Sequence, residues 1–281
     1  ATLAAMHCAG RGFLCPESAA GRGDIPARNG LPGGRRQMYS FQSRIRYSET
    51  DVTGNLSLPG IVDYFQDCST FQSEQLGVGI SFLRDRHLLW VVSAWQIEVN
   101  RYPALGETVS TGTFPYAFKG FMGYRNFLMT GEGGEVLARA ASLWSLISTE
   151  TGKPVRAPLD VVNAYTLEEK LPMDYAPRHI LLPDGKKIVD EGRAEKSFAV
   201  TKQKLDRNGH VNNGRFIELA MSGLPDEPEW KVKRLRAEYC RQAFEGDRLF
   251  PYVVCAQAGA FVCLGNEQGE PYVNIELGAI I

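Results

Sequence analysis

The 281-residue chain has almost no excess charge, few histidines and no apolar run able to cross a bilayer uninterrupted. Its 31 Lys and Arg face 32 Asp and Glu, a formal charge of -1, so no global field draws it to nucleic acid. The longest uncharged stretch, residues 249–266, is broken by Pro251, Gln257, Gly259 and Gly265 and is rich in Val, Phe and Tyr. It reads as strands, and no membrane span is expected. The six cysteines (Cys8, Cys15, Cys68, Cys240, Cys255, Cys263) include no Cys-x-x-Cys pair and are too sparse for a disulfide framework. We read them as thiols of a cytoplasmic protein. The four histidines (His7, His87, His179, His210) are nowhere spaced as a helical metal pair, so no zinc site is expected. A Gly-x-Ser-x-Gly elbow, a P-loop and a Gly-x-Gly-x-x-Gly turn are also missing, which leaves serine-hydrolase and nucleotide chemistry without support.

What is present is a composition of 44% hydrophobic and 22% charged residues, enough for a folded chain with a large core. Residues 1–37 stand apart: rich in Gly, Ala, Arg and Pro and without helical or strand period, they read as a disordered extension. They fit neither a secretory signal nor a transit peptide, and Met38, where patterning begins, reads as a natural start.

From there one unit occurs twice. Asp51-Val-Thr-Gly-Asn-Leu-Ser57 matches Asp206-Arg-Asn-Gly-His-Val-Asn212 at a spacing of 155. Each copy follows a strand-like run (residues 41–47 and 195–201) and precedes a helix. In the first, Ser57 caps, Pro59 fits the first turn, and Ile61, Tyr64, Phe65, Cys68, Phe71, Gln75 and Leu76 form the stripe that ends before Gly77. In the second, Asn212 or Asn213 caps a shorter helix that stops near Gly223. Further matches follow in order, residues 101–107 with 241–247 and Gly134-Glu135 with Gly269-Glu270, at spacings of 140 and 135. Four alternating strands follow each helix: residues 90–102, 108–118, 123–130 and 136–148, then 233–243, 248–258, 260–266 and 271–277. An α+β fold is expected, each helix lying across a curved antiparallel sheet. The proposed division is 1–37 extension, 38–150 first domain, 151–194 proline-bearing linker and 195–281 second domain.

These features resemble the acyl-acyl-carrier-protein thioesterases, which are built from two tandem hotdog domains. Leu205-Asp-Arg-Asn-Gly-His-Val-Asn-Asn213 is similar to the family's Asp-x-Asn-x-His-Val-Asn-Asn signature, and Arg46-Tyr-Ser-Glu-Thr-Asp51 resembles its first strand and turn. The resemblance implies hydrolysis of fatty acyl thioesters on acyl carrier protein, ending fatty acid synthesis, with no cofactor. An acyl-CoA thioesterase, another hotdog enzyme and a non-catalytic acyl-thioester binding module remain alternatives. The resemblance implies catalytic roles for Asn208 and His210, with Asp206 supporting them; taken alone, Asp-x-Asn-Gly is equally an Asx turn. Backbone N–H groups of Val211, Asn212 and Asn213 at the helix mouth are expected to face the thioester oxygen. In the first copy Thr53 and Asn55 replace Asn208 and His210, so one catalytic centre per chain is expected, the first domain lending an acyl pocket. Phe65 and Trp95, with Phe71 and Trp90, are its candidate walls, or plain core.

The chain departs from the family at Gln242, where a glutamate base is usual. An amide cannot accept the proton, though it can orient water or the thioester oxygen. Glu238 lies four strand residues away, roughly 13 Å, too far to substitute. Cys240 shares the face of Gln242, and we read it as core rather than nucleophile. Lys231, Lys233, Arg234, Arg236 and Arg241, with Arg207 and Arg215, form either a dock for the acidic carrier or a solvated face. The chain is expected to be a monomer, its halves pairing internally, or a homodimer.

Overall fold

The computed structural model describes residues 38–194, 196–225 and 231–279; the extension expected over residues 1–37 lies outside them. The first lobe runs β1 (Tyr39–Arg44), α1 (Leu58–Gln75), α2 (Ile80–Arg84), β2 (Leu88–Val99), β3 (Thr108–Lys119), β4 (Met122–Gly131) and β5 (Val136–Ser148). A connector carrying the short helices α3 (Leu159–Asn163) and α4 (Ile188–Glu191) leads to β6 (Phe198–Ala199), α5 (Asn213–Met221), β7 (Val232–Tyr239), β8 (Arg248–Ala256), β9 (Gly259–Gly265) and β10 (Pro271–Ala279).

The ten strands among the described residues join one sheet in the order β1-β3-β4-β5-β2-β7-β10-β9-β8-β6. Each half is the same five-strand pattern, and the halves meet at β2 and β7, antiparallel from Ala94 opposite Glu238 to Glu98 opposite Arg234. That pairing gives each lobe the edge a lone antiparallel sheet would leave open. It is the internal pairing expected from the duplication.

Helix α1 begins where Ser57 Oγ accepts the Gly60 N–H at 3.1 Å and ends before Gly77, whose φ of +74° suits glycine. Ile61, Val62, Phe65 and Cys68 are wholly buried beneath it. Phe65 stacks at 6.3 Å from Trp95 and lies 5.3 Å from Phe127; deleting a large aromatic from such a packed site costs about 3–5 kcal/mol. The second helix is the shorter one, as expected: α5 has nine residues, because Gly223 and Pro225 follow at once. The strand expected over residues 195–201 is likewise reduced to the two residues of β6. The fold class is the expected one, two hotdog layers sharing one sheet.

Candidate active site

The two turns have one backbone. Asp51 N–H donates to Asn55 O at 2.8 Å and Gly54 N–H to Asp51 O at 3.0 Å; their counterparts, Asp206 to His210 O and Gly209 to Asp206 O, measure 2.7 and 3.1 Å. Gly54 and Gly209 both have φ of +78°. Asp51 Oδ1 accepts the N–H groups of Thr53 and Asn55 at 2.9 and 3.3 Å. Asp206 Oδ1 does the same for Asn208 and His210 at 2.7 and 3.2 Å. The carboxylate therefore builds the turn in both lobes, and the chemical difference lies in two side chains. In the first lobe they are spent on each other: Thr53 Oγ1 donates to Asp51 Oδ1 at 2.7 Å and Asn55 Nδ2 to Thr53 Oγ1 at 2.8 Å. In the second, Asn208 Nδ2 reaches Asp206 Oδ2 only at 3.4 Å. Among the described residues no hydrogen bond holds the imidazole of His210, which meets the Phe244 ring edge-on at 5.0 Å.

These groups open onto a cavity of about 1080 Å³ whose wall includes Asp206, Asn208, His210, Val211, Asn212, Asn213 and Gln242 from the second lobe. The first lobe contributes Gln66, Ser69, Trp90, Arg125 and Trp144. Nearly every residue proposed for the catalytic centre is thus brought to one wall. The expected row of free helix-mouth donors is not there, however. Val211 N–H donates to Ala243 O and Asn212 N–H to Lys204 O, both at 3.0 Å, because the turn is sewn to the loops on either side. Asn212 Oδ1 caps Gly214 N–H at 2.8 Å. Of the three residues only Asn213 keeps an N–H without an acceptor among the described residues.

The acyl wall also differs from expectation. Phe65 and Trp95 are 0% and 2% exposed, belong to the core and are not on the wall of this cavity; both pack against Phe127. Phe71 packs edge-on against Phe41 at 5.4 Å, leaving Trp90 as the one aromatic of that set on the wall.

Contacts between the lobes were invisible in the sequence. Asn213 Nδ2 donates to Gln66 Oε1 at 2.7 Å, and Arg215 Nη2 to Asp63 Oδ2 at 3.1 Å. Tyr239 OH donates to Asn213 O at 3.1 Å, fixing the start of α5. Burial chiefly, with Asp67 alongside, pushes the Asp63 carboxyl up to about 6, although the Arg215 guanidinium pulls it back. Helical period marks Asp63 and Gln66 as neighbours; only the packing of α1 on α5 shows what they face.

Cys240 corrects the core reading: it is exposed and lines the cavity. Its thiol is nonetheless a poor nucleophile, since desolvation and then the Glu238 carboxylate push it up to about 11. Glu238 is committed elsewhere, meeting His179 Nδ1 at 2.6 Å and accepting Ile180 N–H at 3.1 Å, and so straps the connector to β7. The basic cluster is largely spent too. Lys233 Nζ donates to Asn100 O at 2.6 Å. Arg236 bonds Glu276 and donates to Pro177 O at 2.6 Å, Arg241 pairs with Glu270 at 3.0 Å, and Arg234 Nη2 lies 3.9 Å from Asp174. The cations left exposed on the cavity wall without an ion pair among the described residues are Arg178 and Arg207. No three His, Cys, Asp or Glu side chains converge as a metal site among the described residues.

Comparison with known proteins agrees with this architecture. Residues 36–165 match the family described as the acyl-ACP thioesterase N-terminal domain. The chain is 29% identical over 278 residues to a chloroplastic acyl-acyl-carrier-protein hydrolase, FATB3, of Cuphea viscosissima, covering 87% of this chain and 64% of that one. It is 31% identical over 227 residues to the chloroplastic oleoyl-acyl carrier protein thioesterase 1 of Arabidopsis thaliana, covering 74% and 61%. The chain therefore spans less than two thirds of the length of these curated relatives. Among solved structures, an acyl-ACP thioesterase from Bacteroides thetaiotaomicron superposes with a TM-score of 0.76 at 22% identity, over 86% of this chain and 97% of that one. The 12:0-ACP thioesterase from Umbellularia californica gives 0.73 at 20%, over 88% and 98%. With a repeated turn, a shared sheet and a first lobe that matches the family's own N-terminal domain, the chain is similar to the acyl-ACP thioesterases.

Proposed function

We propose that the chain hydrolyses fatty acyl thioesters carried on acyl carrier protein, releasing free fatty acid and the carrier thiol. One observation carries the reading: two turns with matching backbone bonds, of which, among the described residues, only the second presents to a cavity an imidazole without a hydrogen bond beside an amide held by one bond of 3.4 Å. Thioester hydrolysis needs water deprotonated at the carbonyl carbon and donors for the oxyanion that forms. His210 takes the proton of the attacking water. The Asn208 amide and the Asn213 N–H receive the oxyanion, and Gln242, which cannot act as a base, donates to oxygen or orients the water. Asp206 holds the turn. The acyl chain runs from this wall toward Trp90 and Trp144 in the first lobe.

The carrier is acidic, and the exposed pair Arg178 and Arg207 beside the cavity supplies complementary charge where the Lys233 to Arg236 segment does not. Thiol release from acyl-carrier and acyl-CoA substrates, with His210→Ala and Asn208→Ala, tests the reading. Each substitution is expected to lower turnover by about 10²–10⁴. Binding without turnover in the wild type would instead favour the non-catalytic module, for which Gln242 is the one argument. A preference for the coenzyme A substrate would move the assignment to that class.

A further inference from the structure

The cavity wall contains a charge the reaction does not use. Arg125, on β4, is 7% exposed, and among the described residues no carboxylate pairs with it. Its Nη1 donates to Gln72 Oε1 and, at 3.2 Å, to Thr113 Oγ1. The guanidinium lies 5.2 Å from the centroid of the Tyr165 ring, and the Tyr165 hydroxyl is 2.7 Å from Ser73 Oγ. Nη2 and Nε have no acceptor among the described residues. In register, Arg125 faces Ser142, which faces Trp95, which faces Ala237 on β7. Three strand spacings, about 14 Å, separate it from the strand leading to Gln242.

A buried guanidinium with unspent donors tolerates water or an oxygen acceptor against it, but a methyl terminus pressed on it strips its solvent and returns nothing. The hydroxyls nearby do not offer the same barrier, since Ser93 bonds Ser145 at 2.7 Å and Ser73 bonds Tyr165. We propose that Arg125 is the specificity-determining residue that ends the acyl tunnel, so that a plain alkyl chain must stop short of it. The assignment rests on the thioesterase reading above and adds the group that sets how deep the chain runs.

The test is kcat/KM for saturated acyl thioesters of rising length with the full chain, Arg125→Met, which removes the charge at similar volume, and Arg125→Lys, which keeps it. Each methylene buried is worth about fourfold. Wild type and Arg125→Lys are expected to gain by about that factor per methylene up to one length and then lose. Arg125→Met is expected to keep gaining over further carbons. An active Arg125→Met with the wild-type profile overturns the proposal. Should that variant fail to fold, the wild type decides alone, through the binding of free fatty acids and of α,ω-dicarboxylic acids of matched length. Beyond the break the diacid, whose second carboxylate can sit on Arg125, is expected to bind at least tenfold tighter. Monoacids that gain steadily with no break, or diacids no tighter than they are, refute it. This binding arm holds even if no thioester is cleaved, an outcome that would sink the thioesterase reading and leave the tunnel's end to be judged by itself.

Discussion

The duplicated turn permits an exchange in which structure and chemistry separate. Asn208→Thr with His210→Asn writes the first lobe's side chains onto the second lobe's backbone, which already matches it bond for bond within the turn. The copied pair brings two side-chain bonds of the kind seen at 2.7 and 2.8 Å in place of one at 3.4 Å. At about 0.5–1.5 kcal/mol net each, discounted for exposure, they add roughly 1 kcal/mol. Losing the ring contact between His210 and Phe244 removes about 0.5–1.5 kcal/mol. The two nearly cancel, so the melting temperature should stay within about 3 °C of wild type. Activity should not survive. A general base is worth about 10²–10⁴ and an oxyanion donor about 10²–10³, and because both serve one step their losses do not multiply. A fall of roughly 10³–10⁴ in kcat is expected for thiol release, with carrier binding kept. A variant retaining a tenth of wild-type activity would place the chemistry elsewhere; one that unfolds would break the equivalence of the turns.

Other outcomes follow from the same geometry. Gln242→Glu puts a carboxylate on the cavity wall; turnover should rise, and the profile of kcat/KM against pH should acquire a new acidic limb, where an unchanged profile would mean that residue 242 touches neither water nor thioester. Asp63→Asn should stabilise the chain near neutrality. The folded carboxyl is raised from 3.8 to about 6, so the stability that goes with its proton is full below about pH 4 and lost as pH rises through about 6. The Asn variant escapes that loss, and with Asp63 a third exposed and paired to Arg215, the gain by urea unfolding at pH 7.5 over pH 4 should be about 1–2 kcal/mol. Arg178→Glu with Arg207→Glu should raise KM for the carrier-bound substrate about tenfold at low salt and leave kcat in place, the effect shrinking as salt rises. Equal sensitivity at Lys233 and Arg234 would contradict the assignment of docking to the cavity rim.

How much of this was legible depended on how local each feature is. Strand limits such as residues 136–148 were read to the residue because alternation and the flanking Gly134 are local signals. The spacings of 155, 140 and 135 reappear in the bonds themselves. Leu56 N–H to Pro103 O corresponds to Val211 N–H to Ala243 O, and Gly106 N–H to Ile45 O corresponds to Gly246 N–H to Val200 O. What failed was whatever depended on a distant partner. Val211 and Asn212 looked like free donors until Ala243 and Lys204 closed on them. Phe65 and Trp95 satisfied every requirement of an apolar wall, and so did the core that claimed them. Lys233 and Arg236 read as a surface field, since nothing in sequence places Asn100, Pro177 or Glu276 beside them. Arg125 drew no attention because a single arginine in a strand carries no pattern, and its meaning comes wholly from burial without a counter-charge.

The unequal helices fit the division of labour between lobes. In a pair related by twofold pseudosymmetry each lobe begins with a turn, a helix mouth and a stretch of sheet, and two sites are available where one substrate is to be held. The first lobe keeps its turn as structure, with Thr53 closed on Asp51 and Asn55 on Thr53, and its eighteen-residue α1 brings Gln66 to Asn213 and Ser69 and Ser73 to the cavity wall. The second keeps an open turn over a helix of nine residues; extending α5 would drive it into β8, since a side chain at Gly223 would already meet Pro251 at 2.6 Å. A Gly223→Leu substitution should therefore cost stability by overpacking, typically about 1–3 kcal/mol, and lower kcat only as far as the strain moves Asn213 from Gln66. Restored turnover in a compensating Pro251→Gly background, which removes the β-carbon that Gly223 faces, would show that the short helix was kept for fit against the sheet and that its mouth, held by the first lobe, is where the chemistry is set.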